Sequence, residues 1–299
     1  MTSRKRRGSA FVEVSLLLTV FFFGTNFTAV KYVVESVPPI PFAAARFTLA
    51  GLLLLPVALL SGSDGRLARR DLLPMLGLGL VGVTATQSVF TVGVSLTTAA
   101  NTALVYSTAP VWGMLLGFAL GWERPRAAGV LGVGLCLIGV GAIVYGSLEF
   151  AGTSLVGDAL ILAAAVCWGS YTVLTLSFLG RYSALAVAAY AMTFGGLAAF
   201  PLATLPLAAL NPSSLDLSSI DGLTWAVAGY SALCSSAFGF AAWGWGVSHV
   251  GANRVLVYQY LVTLTGVGTG ILLLGEDVGP GQLVGAAVIL LGVYLARSR

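Results

Sequence analysis

Ten apolar segments, each about twenty residues long, follow one another through this 299-residue chain, and they make lipid its solvent. Roughly 20 apolar residues in a helix cross the ~30 Å hydrocarbon core of a bilayer. Hydropathy predicts spans near Phe11–Tyr32, Pro41–Leu60, Leu72–Val92, Ala99–Leu120 and Ala127–Tyr145. The remaining five are expected near Val156–Leu179, Ser183–Leu205, Leu223–Val247, Val255–Leu274 and Gly281–Ala296. Charged residues make up only 9% of the chain, against roughly 25% in soluble domains. The longest connection, Pro206 to Gly222, is too short for a separate folded domain. The expected fold is therefore an all-α membrane protein of ten transmembrane helices.

The basic residues assign sides. Arg4, Lys5, Arg6, Arg7, Arg66, Arg69, Arg70, Arg124, Arg126, Arg181, Arg254, Arg297 and Arg299 all fall at even-numbered gaps or at the termini. For ten spans these positions share one face, and only Lys31 and Arg46 lie toward the other. Cytoplasmic loops carry the Lys/Arg excess, so a cell inner membrane location with both termini cytoplasmic is expected. Glu35, Glu149, Asp216, Asp221, Glu276 and Asp277 then fall outside. The net charge of +4 is a topology signal and not a nucleic-acid footprint. The first apolar stretch is too long for a cleaved signal peptide and is expected to stay as a helix. Cys136, Cys167 and Cys234 are scattered within spans without metal spacing and are expected to be buried thiols. Neither a metal nor another cofactor is implied.

The two halves repeat. At an offset of 153 residues Gly113 matches Gly266, Gly117 matches Gly270, Glu123 matches Glu276, Gly132 matches Gly285 and Gly139 matches Gly292. Slightly upstream, Asn101 pairs with Asn253 and Tyr106 with Tyr258. Five helices per half is an odd number, so the second half (151–299) is expected to be inverted relative to the first (1–150). Secondary transporters use this arrangement, with the substrate site near the midplane between the halves. Gly113, Gly117 and Gly121 recur every four residues and predict a close helix contact. Pro110 should break the bond to the Tyr106 carbonyl and bend its helix. Helix nine has Val262 or Thr263 at that place.

These residues also resemble a known family. Asn101–Pro110, Gly117, Glu123 and the Gly129/Gly132/Gly139 series look like the EamA repeat of the ten-helix drug/metabolite transporter superfamily. The second copy runs through Ala241-Ala242-Trp243, Gly251-Ala252-Asn253, Tyr258, Gly275-Glu276 and Gly285 to Gly292. The likeness covers about residues 10–296. It implies a central cavity between two five-helix halves and export of small metabolites, with the exporters of amino acids, aromatic ones included, as the nearest subgroup. The missing proline at Val262 departs from the pattern and sets the mechanics of the two halves apart.

Polar and aromatic residues inside a bilayer need a partner or a cavity. Trp168, Tyr171, Thr172 and Thr175 share one helix face, as do Thr84, Gln87 and Thr91. Asn101, Thr108 and Trp112 form a third, apart from Tyr106. Tyr258, Gln259, Trp243 and Asn26 complete the candidate substrate-binding set. Such a lining suits a small amphipathic solute such as an amino acid, stacked on rings and held by amides and hydroxyls. Arg46 is the nearest thing to an anion handle, though its flexible stem predicts snorkelling to the outer interface. Glu13 and Asp158 sit toward helix ends, which favours transport down a substrate gradient. A proton-coupled antiporter of drugs or other metabolites and a channel stay open as alternatives. An intramembrane enzyme would need a nucleophile–base pair or metal cluster, and one histidine, His249, with three separated cysteines supplies none. Oligomeric state is left open.

Overall fold

The apolar segments become helices, and the places where they break decide the shape of the interior. The computed structural model describes residues 3–61, 65–122, 127–147, 155–204, 220–256 and 258–297. Glu123, Arg124, Arg126, Glu149, Asp216 and Arg299 lie outside the described residues, as do the side chains of residues 4–7, Asn253, Arg254 and Arg297. Among the described residues the chain is helical and has no strand. The helices are α1 (Ser3–Val34), α2 (Pro39–Leu60), α3 (Leu72–Gly79), α4 (Thr86–Leu96), α5 (Ala99–Tyr106), α6 (Ala109–Ala119) and α7 (Ala127–Ser147). The second half has α8 (Leu155–Leu179), α9 (Ala184–Ala203), α10 (Gly222–Tyr230), α11 (Phe240–Val250), α12 (Ala252–Val255), α13 (Tyr258–Leu274) and α14 (Pro280–Arg297).

Six helical stretches are long and apolar enough to cross a bilayer: Phe11–Val34, Pro39–Leu60, Arg69–Leu96, Ala99–Ala119, Leu155–Leu179 and Ala184–Ala203. Shorter apolar helices cover Val130–Ile143, Tyr258–Leu274 and Pro280–Gly292. Large apolar side chains such as Leu60, Leu73, Leu131, Ile138, Leu264 and Leu272 are exposed, as a lipid-facing surface requires.

Two kinds of interruption shape the interior. Pro110 sits in the first turn of α6, and Ser107 and Thr108 separate it from α5, so the expected bend is present. In the second half α13 runs unbroken across Val262, where no proline stands. Two π-helical segments, Leu80–Ala85 and Ser231–Gly239, join α3 to α4 and α10 to α11. In each a hydroxyl reaches back five residues, from Thr86 to the Val81 carbonyl and from Ser236 to the Ser231 carbonyl. That satisfies backbone groups which the wider turn leaves strained, and such turns recur at functional sites.

Glycine seams join the two halves, and their contacts exchange. A Cβ at Gly51 on α2 would lie 2.5 Å from the Thr193 amide nitrogen, and one at Gly196 on α9 would lie 2.5 Å from that of Thr48. Likewise a Cβ on Gly139 would lie 2.7 Å from the Gly285 carbonyl oxygen, and one on Gly292 would lie 2.7 Å from that of Gly132. A Cβ on Gly24 would lie 2.9 Å from the Val262 carbonyl oxygen, and one on Gly169 would run into that of Ala109. Swapping repeat-related residues turns each contact into the other member of its pair. Gly113 packs on the Gly169 carbonyl as the small-residue spacing predicts, whereas Gly121 lies beyond α6 with φ +70° and ends that helix instead.

A buried arginine in an aromatic cavity

Where α1, α2, α4, α5, the second π segment, α8, α11 and α13 converge, the helices leave a small cavity. Its walls are mostly rings: Phe23, Phe27, Phe47, Phe90, Tyr106, Trp168 and Phe240. Asn26, Arg46, Gln87, Ser235, Gln259 and Val262 complete the lining. Ligand sites combine an apolar wall with a few placed polar groups.

The aromatic wall is built by edge-to-face packing. Phe240 stands against Trp168 with centroids 5.0 Å apart, and Phe23 meets the same indole at 5.9 Å. Tyr106 and Phe90 meet at 5.4 Å, and both touch Phe27. These arrangements set ring edges against π faces, which fixes ring orientation as well as burying area.

Arg46 corrects the expectation of snorkelling. It is 3% exposed and reaches neither surface. Its Nη2 donates to Gln87 Oε1 at 2.8 Å, and its Nη1 donates to Ser231 Oγ at 2.9 Å. Ser231 in turn donates to Asn26 Oδ1 at 2.5 Å. The guanidinium lies 4.6 Å from the Phe47 ring centre and 5.3 Å from that of Phe42, contacts that stabilise a desolvated cation. No carboxylate forms an ion pair with it among the described residues. A buried charge without a counter-ion is costly unless something neutralises it. Four chain segments, α1, α2, α4 and the second π segment, hold one positive charge in place by neutral groups alone.

Among the described residues, three lining side chains also have a buried polar atom without a partner: Arg46 Nε, Trp168 Nε1 and Gln259 Oε1. Buried polar groups are ordinarily paired, and three such atoms belong to residues around this one cavity.

The structure brings Gln87, Trp168, Gln259 and Asn26 to this one cavity. Tyr171 and Trp243 stand behind Trp168; Tyr171 stacks on it at 5.4 Å, and Trp243 is tilted against it at 5.8 Å. Asn101, Trp112 and Tyr258 are elsewhere. Trp112 Nε1 donates to Thr108 Oγ1, and Tyr258 is a half-buried flank of the core. Asn101 belongs to a second polar cluster, where its Nδ2 donates to Asp158 Oδ1 and Thr97 Oγ1 donates to the same oxygen at 3.0 Å. Beside this cluster Glu276 folds back from the end of α13, beyond Gly275 at φ +65°. Its carboxylate accepts from the Ala99 and Ala100 amides at 2.6 and 2.7 Å, neutralising the N-terminus of α5. Lys31 Nζ donates to the Val94 and Thr97 carbonyls, giving the end of α4 its cationic cap. Arg181 binds Asp71 at the other end of the bundle, at 2.7 Å. Glu13 and His249 are exposed.

Sequence reasoning missed Arg46 as a cavity residue, and with it the phenylalanines and Tyr106. Arg46 carried a signal nonetheless: a charge two turns inside a hydrophobic helix is functional by default.

Comparison with known proteins agrees with this architecture. The model of the EamA-like transporter family matches residues 10–145 and again 155–298. A protein from Streptantibioticus cattleyicolor named probable terminal-alkyne amino-acid exporter is 30% identical, with 95% of this chain and 93% of that one covered. An uncharacterized transporter of Archaeoglobus fulgidus is 26% identical over 94% of this chain and 97% of its own length. The probable amino-acid metabolite efflux pump of Escherichia coli is 25% identical over 94% and 93%. A crystal structure of 20% identity shares the fold, with a TM-score of 0.65 and 96% of both chains covered.

Proposed function

The chain belongs to the EamA-like transporter family, and from that premise we propose that it exports amino acids with aromatic or other apolar side chains through the Arg46 cavity. It is a multi-pass membrane transporter and not an enzyme, in keeping with its family. The observation that carries the narrower reading is the cavity itself, ring-walled, with unpaired donors and an unpaired acceptor among its lining. Rings and aliphatic walls cover an apolar side chain, while the polar atoms meet the charged end of an amino acid. The names of the Streptantibioticus and Escherichia relatives point the same way.

The mechanism we infer is alternating access by ten spans in two inverted halves, both termini on the cytoplasmic side of the inner membrane. The exchanging glycine contacts support a pseudo-two-fold relation between the halves, and five spans per half, an odd number, would make that relation an inversion. Such a carrier has two related packings, one open to each face, and substrate moves down its own gradient. One observation favours proton-coupled antiport as a second reading: Asp158 is buried, at 2% exposure. It is bonded to Asn101 and Thr97 and does not line the cavity, so the gradient-driven reading comes first.

Counterflow in proteoliposomes tests the proposal. Unlabelled L-phenylalanine inside the vesicles should accelerate entry of labelled L-phenylalanine, with no imposed pH gradient. Flux without trans-stimulation would indicate a channel. A pH step that alone drives uphill movement, and is lost in Asp158→Asn, would establish antiport.

A further inference from the structure

The structure assigns Arg46 and Gln259 a joint role: we infer that they recognise the two ends of a zwitterion, the substrate carboxylate at Arg46 and its ammonium at Gln259. This rests on the transport reading above and names the chemistry that its substrate must carry. A guanidinium has five N–H donors. Two of the five engage Gln87 and Ser231, which leaves three, and Nε is buried without a partner. A carboxylate accepts from an arginine edge through two parallel bonds, the strongest geometry open to this side chain. It also supplies the negative charge that no described residue gives Arg46. Trp168 Nε1, a second unpartnered donor in the same lining, can serve a carboxylate oxygen or stay covered by the substrate ring.

Gln259 supplies the opposite polarity. Gln259 belongs to the same lining, and its Oε1 is buried without a partner among the described residues. An ammonium donates to an amide oxygen without needing a carboxylate, so the site binds a zwitterion with no net charge left over beyond that of the guanidinium. Ser88, Thr48 and Trp243 also have unpartnered buried atoms, but none lines the cavity. Polar groups held in a dry site discriminate most strongly against ligands that leave them unpaired. Specificity is therefore expected to follow the backbone end of the amino acid, with the ring wall setting only the size and shape of the side chain.

Three probes share one phenylethyl body and separate the two ends: L-phenylalanine, 3-phenylpropionate and 2-phenylethylamine. Their binding is measured by calorimetry on the full-length protein in nanodiscs. L-Phenylalanine should bind best, 3-phenylpropionate next, and 2-phenylethylamine roughly ten- to a hundredfold more weakly than L-phenylalanine, the range expected for losing a charged hydrogen-bonded partner. Arg46→Gln should remove the preference for carboxylates, and Gln259→Leu should bring L-phenylalanine down to the level of 3-phenylpropionate. The wild-type series decides the carboxylate half by itself if Arg46→Gln does not fold, and Arg46→Lys then supplies a variant that keeps the charge. Equal affinity for all three probes, no binding of either carboxylate, or an unchanged preference in Arg46→Gln would overturn the assignment. Counterflow separates this outcome from failure of the transport reading. Wild-type rates of L-phenylalanine counterflow in Arg46→Gln would remove the site and keep the carrier. Arg46-dependent binding of 3-phenylpropionate without counterflow of any amino acid would keep the site and remove the amino-acid exporter.

Discussion

Helices α2 and α9 meet through the same four-residue pattern, Thr48-Leu49-Ala50-Gly51 against Thr193-Phe194-Gly195-Gly196, yet two positions before each threonine they differ completely. α2 has Arg46 there and α9 has Ala191. In both helices the glycine admits the partner threonine backbone, at matching distances. Ala191 is fully buried, and its carbonyl lies 2.7 Å from where a Cβ on Gly79 would be, so that face of α9 is filled by backbone contact with α3. The same face of α2 instead presents a guanidinium to the cavity. Packing is duplicated between the halves and chemistry is not. The proposed carrier would rock about the duplicated seams, and in the proposed site the single charge of Arg46 would orient the cargo.

The largest expected effect tests the duplicated part. Gly51→Val and Gly196→Val both push a branched side chain into backbone that cannot withdraw. Each should cost about 3 kcal/mol or more, read as loss of monodisperse protein or a lowered thermal midpoint. If one is tolerated and the other is not, the seams are not equivalent. A smaller loss is expected from Glu276→Ala, which strips the acceptor from two amides at the start of α5. About 1–2 kcal/mol is the usual range for such a cap, and an unchanged melting curve would show that water replaces it. Phe23 and Trp168 occupy related places, each directly before a seam glycine, Gly24 or Gly169. Alanine at either should weaken L-phenylalanine binding by about two- to tenfold through lost ring contacts. An effect from Trp168 alone would put the cargo on the side of the second half. The smallest effect belongs to Glu13→Gln: this exposed residue should leave counterflow and its pH profile unaltered.

Hydropathy made the helices legible, because it depends on local composition that lipid enforces along the chain. Gln87, Trp168, Gln259 and Asn26 were legible as cavity residues for a related reason: deep amides and indoles have few other places to be. Asn101 looked the same in sequence, yet the structure gives it Asp158, a partner 57 residues away. Arg46 failed in the opposite direction. Its stem is long enough to snorkel, and only the meeting of Gln87, Ser231 and Asn26 from three other segments gives the guanidinium a reason to stay inside. The phenylalanines of the wall were invisible because nothing in an apolar run separates a ring facing lipid from one facing a cavity. The Thr48/Thr193 pattern recurs at an offset of 145 residues instead of 153, so one fixed offset could not align the first helices of each half with the last.

Whether the cargo occupies the ring-walled cavity can be read from its protection of one atom. With Cys136, Cys167 and Cys234 changed to alanine, Ser235→Cys places a single thiol in the lining, and its rate of modification by a small thiol reagent is followed in proteoliposomes. Saturating L-phenylalanine should slow that rate severalfold, and Arg46→Gln should abolish the protection. An unchanged rate in vesicles that carry out L-phenylalanine counterflow would place the substrate outside the cavity and contradict the account.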